Sequence, residues 1–165
     1  MKGFVRKDPL FSLCGLNCGL CSMHLGGHCP GCGEGSQSCR LARCSLDRGG
    51  LEYCYECGGY PCEKYEKIDD FDSFITHKHR KRDMEKAKKL GPKAYGAEQR
   101  EKIRLLEALL AGYNDGRKKT LYCLAVNLLE ADEIKQALQT VEGEALPPEK
   151  RPGRMAEELN RIAAA

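Results

Sequence analysis

The first third of the chain is short of the side chains that build a hydrophobic core. Residues 6 to 67 contain no Val and no Ile, and the whole chain has no Trp. Glycine, by contrast, accounts for eleven of the 49 residues from 14 to 62. A segment of this composition buries too little aliphatic surface to fold on a conventional core. The composition therefore predicts cross-links, covalent or through metal ions, in this part of the chain.

The sequence also lacks long apolar runs. No stretch approaches the ~20 apolar residues of a membrane-spanning helix, and the mean hydropathy is −0.54. The start MKGFVRKDPLFSL places Asp8 and Pro9 where a secretory signal peptide needs an uninterrupted apolar region. We therefore expect a cytoplasmic protein with no membrane partner. In that reducing compartment, densely packed thiols are more often metal ligands than disulfides.

Motifs of the common enzyme classes are missing from the sequence. It contains no glycine-rich phosphate-binding loop, no HExxH motif and no serine nucleophile elbow. Cys14 or Cys62 could act as a nucleophile only beside a base, and the spacing supplies none. The sequence therefore favours a binding protein over an enzyme and indicates no catalytic residue.

What the chain has in abundance is cysteine, with eleven in all. Two pairs, in CPGCG (29–33) and CYECGG (54–59), match the zinc knuckle, in which two thiolates bind from a tight turn and the glycine after them takes a left-handed conformation. Cys123 stands apart in an apolar segment, where we expect a buried core residue. The other ten cysteines are the candidate metal ligands: Cys14, Cys18, Cys21, Cys29, Cys32, Cys39, Cys44, Cys54, Cys57 and Cys62.

The spacing leaves the grouping of these ten thiols open. One tetrahedral set joins the two knuckles, whose separation of 21 residues is close to that of paired-knuckle zinc ribbons: Cys29, Cys32, Cys54 and Cys57. A sequential grouping gives two other sets: Cys18, Cys21, Cys29 and Cys32, then Cys39, Cys44, Cys54 and Cys57. A thiolate-bridged cluster of nine or ten sulfurs is a third arrangement. We expect His24 and His28 to be polar loop residues, since the thiols already suffice as ligands.

The first three cysteines raise the alternative of an iron–sulfur protein. Cys14, Cys18 and Cys21 have the spacing Cx3Cx2C, by which radical enzymes bind a four-iron cluster with one iron open. Those enzymes need a large barrel of strands and helices, whereas the chain downstream is short and helical in pattern. An ordinary cluster with a remote fourth ligand such as Cys62, in a redox or electron-transfer role, stays an alternative because thiolates suit both metals.

Helical periodicity begins after the last clustered cysteine. Apolar spacing predicts helices near 68–75, 77–90, 97–111 and 117–129, and a further helix with Ile134, Leu138 and Val141 on its inner face. A short C-terminal helix carries Met155, Leu159 and Ile162. In the 117–129 helix we expect these residues to be buried: Leu121, Leu124, Ala125 and Leu128.

These patterns predict a small α-rich protein. An irregular Cys-rich metal-binding module of knuckles with little strand (residues 1–62) packs on a helical bundle (63–142). A Pro-containing linker and a short C-terminal helix (143–165) follow.

The complete cysteine pattern resembles a known family. CGLNC, CGLC, CPGC, the isolated Cys39 and Cys44, and then YCYECGGYPCEKY are together similar to the cysteine-rich, presumed zinc-binding prokaryotic family catalogued only as a domain of unknown function. The resemblance covers roughly residues 12 to 66 and includes all ten clustered cysteines. It implies metal binding at those cysteines, and it implies no activity.

A basic segment from 77 to 93 suggests nucleic-acid binding as a third hypothesis. Its basic residues recur at helical spacing, and residues 77 to 104 carry a net charge of +7. The row has few aromatic side chains to stack on bases, so a solvated helix face is the simpler interpretation. The basic residues concerned are Lys78, Arg80, Lys81, Arg82, Lys86 and Lys89.

The sequence therefore predicts a zinc-binding protein of unknown specific role, with about two Zn²⁺ ions. Zinc held by four thiolates has no open position to activate water, which argues for structure over catalysis. We expect a metal-stabilised interaction or scaffolding module whose partner is a protein.

Overall fold

The computed structural model describes residues 2–33 and 38–165. Within these ranges there are seven α-helices and no β-strand. The helices are α1 (Ser22–Leu25), α2 (Arg40–Leu46), α3 (Arg80–Leu90), α4 (Pro92–Gly112), α5 (Lys119–Leu128), α6 (Ala131–Gly143) and α7 (Arg151–Ala163). Three short 3₁₀ turns lie at Cys18–Leu20, Cys54–Glu56 and Glu63–Tyr65. The prediction of an α-rich protein with little strand is confirmed, and none of the helices in the described ranges has the length and apolar character to span a membrane.

The chain divides into two compact units, Met1–Ala97 and Glu98–Ala165. The boundaries expected after residues 62 and 142 do not coincide with this division, since the first lies inside unit 1 and the second inside unit 2. In unit 1 the reason is packing: Met84 and Ala87 of α3 share one buried apolar cluster with Phe11 and Tyr53. Helix α3 therefore completes the Cys-rich unit.

The core of unit 1 consists of two small apolar clusters. One contains Phe11 and Tyr53, with Tyr95 packed against Phe11 in a tilted arrangement at a ring-centroid distance of 4.6 Å. The other contains Phe4 and Leu13, and the side chains of several cysteines pack against it. Aromatic rings and thiols thus occupy places that Val and Ile take in an ordinary core.

A buried polar network links the first cysteine loop to the helices of unit 1. Asn17 Nδ2 donates to Asp83 Oδ2 of α3 at 2.8 Å, and Tyr95 Oη donates to Asn17 Oδ1 at 3.0 Å. Each of these three side chains is less than a tenth exposed. Because unpaired polar groups are costly in such surroundings, the network fixes the position of this loop, next to Cys18, relative to α3.

Unit 2 has an ordinary aliphatic core, to which α5, α6 and α7 contribute. The buried residues Ile134 and Val141 on α6, and Met155 and Leu159 on α7, confirm the predicted inner faces, while Leu138 and Ile162 are only partly buried. On α5 the prediction is confirmed for Ala125 but is wrong for Leu124, which is 40 % exposed, and Leu121 and Leu128 are half-buried. The buried face of α5 instead follows Tyr122, Cys123 and Val126.

The helix expected near 68–75 is not formed. After the turn at Glu63–Tyr65 the chain runs through bends to His79, and Phe71 and Phe74 are 77 % and 71 % exposed. Asp72 Oδ1 accepts hydrogen bonds from Thr76 Oγ1 and from the His77 amide, at 3.2 and 2.7 Å. Aspartate side chains that bond local backbone in this way compete with helix formation. The other predicted helices are confirmed, and α4 begins at Pro92, where proline suits a first turn.

Candidate metal centre

Six thiols line one cleft of unit 1. The cleft has a volume of about 550 Å³, and His28, Phe74, His77 and Arg80 are among its other lining residues. Its far wall is the segment from 73 to 80, where Cys21 Sγ donates to the Phe74 carbonyl at 3.8 Å. We call it the six-thiol cleft, after its cysteines: Cys14, Cys18, Cys21, Cys29, Cys32 and Cys39.

The other four clustered thiols line a second, much smaller cavity of about 30 Å³. Tyr60, Tyr65 and Arg48 also face it, and the pKa of Tyr65 is raised by its burial and by the adjacent Cys54. We call it the four-thiol cavity, after its cysteines: Cys44, Cys54, Cys57 and Cys62.

This division differs from the two four-thiol groupings considered from spacing. Cys29 and Cys32 line the six-thiol cleft, whereas Cys54 and Cys57 line the four-thiol cavity, so the two knuckles are placed on different cavities. The sequential grouping agrees for its first set, whose four cysteines all line the cleft. The second set differs in one member. Cys39 lines the cleft, and Cys62 instead joins Cys44, Cys54 and Cys57 in the four-thiol cavity.

Two Cys-x-x-Cys pairs, one on each cavity, fold in the same way. In each pair a 3₁₀ turn begins at the first cysteine, and the amide of the second donates to the carbonyl of the first at 3.1 Å: Cys21 to Cys18, and Cys57 to Cys54. The second cysteine is extended in both. Both thiols of each pair line the same cavity, as a metal knuckle requires.

The third pair, Cys29 and Cys32, is held by a long-range contact instead. The Cys32 amide donates to the Pro9 carbonyl at 3.0 Å. Gly33, which follows this pair, has a φ of +122°, so the predicted left-handed glycine is confirmed there. At Gly58, which follows Cys57, the prediction is wrong, since its φ is not positive.

Three of the clustered thiols have raised pKa values, and none of the eleven cysteines, all of which lie in the described ranges, is in a disulfide. Burial raises the pKa of Cys32 to about 11 and that of Cys54 to about 12. The pKa of Cys18 is raised further, first by burial and then by the neighbouring thiols of Cys32, Cys14, Cys21 and Cys29. A cation that compensates several thiolates at once removes this penalty.

The described residues contain no group of three or more Cys, His, Asp or Glu side chains already set to hold a metal ion. The chemistry of the donors nevertheless fits zinc, because both cavities are lined by several thiols that come in Cys-x-x-Cys turns.

Guanidinium groups lie next to several of the thiols. Arg80 Nη2 donates to Cys14 Sγ at 3.0 Å, and Arg48 Nη1 donates to Cys44 Sγ at 2.8 Å. Arg6, whose side chain is 1 % exposed, lowers the pKa of Cys32. Arg6 Nε, Arg6 Nη1 and Arg80 Nε are buried without a hydrogen-bond partner among the described residues. Groups of thiolates around a metal ion carry net negative charge. Guanidinium groups with unpaired N–H donors can offset that charge and donate hydrogen bonds to the sulfurs.

These arginines are the site residues that the sequence reasoning missed. Arg48 lies just after α2 and follows Cys44 by four residues, so this basic residue near a candidate ligand could have been noticed in the sequence. Arg80 reaches Cys14 across 66 positions of sequence, and Arg6 reaches Cys32 across 26, so only the fold brings them together.

The two histidines beside the ligands have different surroundings. His24 Nδ1 lies 2.9 Å from the Cys29 carbonyl oxygen, which holds the ring against the backbone of a candidate ligand. His28 lines the six-thiol cleft. The expectation that both are polar loop residues stays a prediction.

The basic segment proposed for nucleic acid is partly engaged within the protein. Arg80 points to Cys14 and to the Ile68 carbonyl, 2.9 Å away. Lys81 Nζ donates to the Glu66 carbonyl at 3.3 Å, and Arg82 pairs with Asp83 at 3.4 Å. Three of the six basic residues in the predicted row therefore bind groups of the chain itself, which weakens the case for a cationic face.

Gly15, next to Cys14, is where the first cysteine loop comes closest to α3. It has a φ of +99°, and a Cβ there would lie 2.5 Å from the Arg80 carbonyl oxygen. We expect Gly15→Ala to lower the free energy of unfolding by about 2–4 kcal/mol, through the clash and the left-handed strain together. Urea denaturation of the wild type and the variant measures this difference in the free energy of unfolding.

Gly27→Ala is the matched control for this prediction. Gly27 also has a positive φ, +72°, but nothing lies within 4 Å of its added Cβ. The expected cost is strain alone, about 1 kcal/mol. If the two variants lost equal amounts of unfolding free energy, the close approach of Gly15 to Arg80 would not contribute to the loss.

Comparison of the chain with family models, curated proteins and solved structures found no match.

Proposed function

We propose that unit 1 is a zinc-binding module and that the protein acts as a metal-stabilised interaction or scaffolding module. One observation carries the proposal: all ten clustered cysteines face one of two cavities of the same unit, and none is in a disulfide. One Zn²⁺ in each cavity supplies the cross-links that the composition of the segment calls for.

The candidate ligands of each ion follow from the cavities. In the four-thiol cavity they are Cys44, Cys54, Cys57 and Cys62. In the six-thiol cleft the two Cys-x-x-Cys pairs are the first candidates: Cys18, Cys21, Cys29 and Cys32. Four thiolates close the coordination of zinc, so the ion is structural and activates no water. The resemblance of the cysteine pattern to a presumed zinc-binding family supports the same choice of metal.

The role of the protein's own residues is to orient the sulfurs and balance their charge. The 3₁₀ turns at Cys18 and Cys54 place the paired thiols of each turn on the same cavity. Arg48 and Arg80 donate to sulfur and offset the negative charge of the thiolates. Such a module needs a compartment in which thiols stay reduced, as in the cytoplasm.

An iron–sulfur cluster, with a redox or electron-transfer role, is the rival occupant of the same thiols. It predicts iron in the purified protein and visible absorbance that bleaches on reduction. Zinc predicts a colourless protein.

An interaction role is supported by the loop that forms one wall of the six-thiol cleft. Phe71 and Phe74 are the most exposed aromatic side chains of this loop, whereas Ile75 beside them is 8 % exposed and anchors the loop to the unit. Exposed aromatic side chains on a fixed loop are typical anchors of protein interfaces. Asp70 and Asp72 flank Phe71, so a partner with a basic rim around an apolar pocket fits best.

The double variant Phe71→Ser/Phe74→Ser tests the interaction role. We expect it to keep the zinc content and the unfolding midpoint of the wild type, because both rings are exposed, and to lose at least tenfold in the yield of a specific cross-linked partner. Leu124→Ser, which removes a 40 % exposed apolar side chain in unit 2, is the control and should retain the partner. Equal yields of the cross-linked partner with the wild type, the double variant and Leu124→Ser would contradict a role for this loop in partner binding.

A further inference from the structure

The six-thiol cleft contains more thiols than one zinc ion can use. A tetrahedral Zn²⁺ takes four ligands, and the two Cys-x-x-Cys pairs already provide four. Cys14 and Cys39 line the same cleft and are left over. Cys14 is 8 % exposed, and the partly buried Cys39 packs against the cluster of Phe4, Leu13 and Ala42.

Both surplus sulfurs are already placed as hydrogen-bond acceptors. Cys14 Sγ accepts from Arg80 Nη2 at 3.0 Å and lies 3.3 Å from Ser12 Oγ. Cys39 Sγ accepts from the Ala42 amide at 3.5 Å. Metal-bound thiolates accept such hydrogen bonds from guanidinium and amide N–H groups. These contacts suit metal-bound sulfur better than an ordinary buried thiol.

We propose that the six-thiol cleft holds two Zn²⁺ ions that share two bridging thiolates. This inference rests on the proposed zinc-binding function and adds one ion to it, which gives three per chain with the ion of the four-thiol cavity. Two tetrahedral ions need eight sulfur positions, and six sulfurs fill them when two sulfurs bridge. Each thiol that binds releases its proton to solvent, and no electron is transferred.

A second ion lowers the net negative charge of the thiolates in the cleft. Six thiolates with a single Zn²⁺ carry −4, whereas six thiolates with two Zn²⁺ carry −2. Arg80 lines the cleft and has a buried N–H without a hydrogen-bond partner among the described residues. Arg6, which is outside the lining and pairs with Glu52 at 3.6 Å, has two more such N–H groups. These donors are suited to bridging or terminal thiolates.

Metal counting on the holoprotein tests the inference. Zinc per chain is measured by elemental analysis of reduced protein purified without air, for the wild type, Cys14→Ser, Cys39→Ser and Cys123→Ala. We expect three ions in the wild type and in Cys123→Ala, whose cysteine lies in α5 outside both cavities. We expect two ions in Cys14→Ser and in Cys39→Ser, because neither cavity then has more than five thiols.

Cadmium NMR of the wild type decides the question even where a variant fails to fold. After substitution with ¹¹³Cd, we expect two resonances that share a cadmium–cadmium scalar coupling through bridging sulfur, and one resonance without such coupling. Two ions per chain with no coupling would overturn the bridged pair and leave the zinc-binding function intact. A chain that binds no zinc and no cadmium would overturn both.

Discussion

Removing the metal from the reduced protein is expected to unfold residues 2–97 while the helices of unit 2 stay folded. Unit 1 has only small apolar clusters, and in the segment 6–67 they are built without Val or Ile. Structural zinc contributes about 10 kcal/mol or more to such modules, which is comparable to the whole stability of a domain. Unit 2 has its own core, in which Val126, Ile134 and Met155 are fully buried.

Hydrogen exchange with and without a strong chelator, under reducing conditions, measures this effect. In unit 1 the reporters are the amides of Cys32 and Cys54, which donate to the carbonyls of Pro9 and Leu13 at 3.0 and 2.9 Å. We expect both to lose protection on chelation and to regain it when Zn²⁺ is added back. The amides of α6 should stay protected. Full protection of Cys32 and Cys54 in metal-free protein would show that unit 1 folds without metal.

Replacing one ligand of the four-thiol cavity is expected to remove its ion and destabilise unit 1 severely. Cys57→Ser leaves three thiols and a hydroxyl, which is a poor zinc ligand, and three partly buried sulfurs without their cation. We expect one fewer zinc per chain and a loss of at least ~4 kcal/mol in the free energy of unfolding. Losses of this size are typical of variants that lose a metal site. Elemental analysis and urea denaturation measure the two effects.

Cys123→Ala is the matched control for Cys57→Ser. Cys123 is 7 % exposed on α5 and lies on neither cavity. It should keep the full zinc content and cost about 1 kcal/mol through lost packing. If Cys57→Ser also kept its full zinc content, Cys57 would not be a ligand, and the assignment of the four-thiol cavity would be wrong.

The sequence predicted the features that depend on local signals. Helix α3 ends at Leu90 because Gly91 and Pro92 follow, and the buried faces of α6 and α7 follow from a 3.6-residue period. The exposed loop with Phe71 and Phe74 was mistaken for a helix, since its apolar spacing is helical. The competing signal was the aspartate content, because Asp72 bonds the backbone of its own loop.

The sequence names the ten candidate ligands but does not divide them between the two cavities. The number and clustering of thiols are properties of the sequence, so the ten candidate ligands could be named from it. Which thiols share a cavity depends on contacts between distant segments, such as the Cys32 amide with the Pro9 carbonyl. The position of Cys39 in the cleft and of Cys62 in the smaller cavity depends on the same long-range packing.

X-ray absorption at the zinc edge, on reduced protein purified without air, tests the central claim most directly. The claim is that metal ions held by the clustered thiolates take the place of a core in unit 1. It predicts bound zinc with a shell of about four sulfur atoms at ~2.3 Å and no nitrogen or oxygen ligand. Protein without metal, with its thiols free or joined in disulfides and unit 1 still folded, would contradict it, and iron in place of zinc would assign the thiols to a cluster.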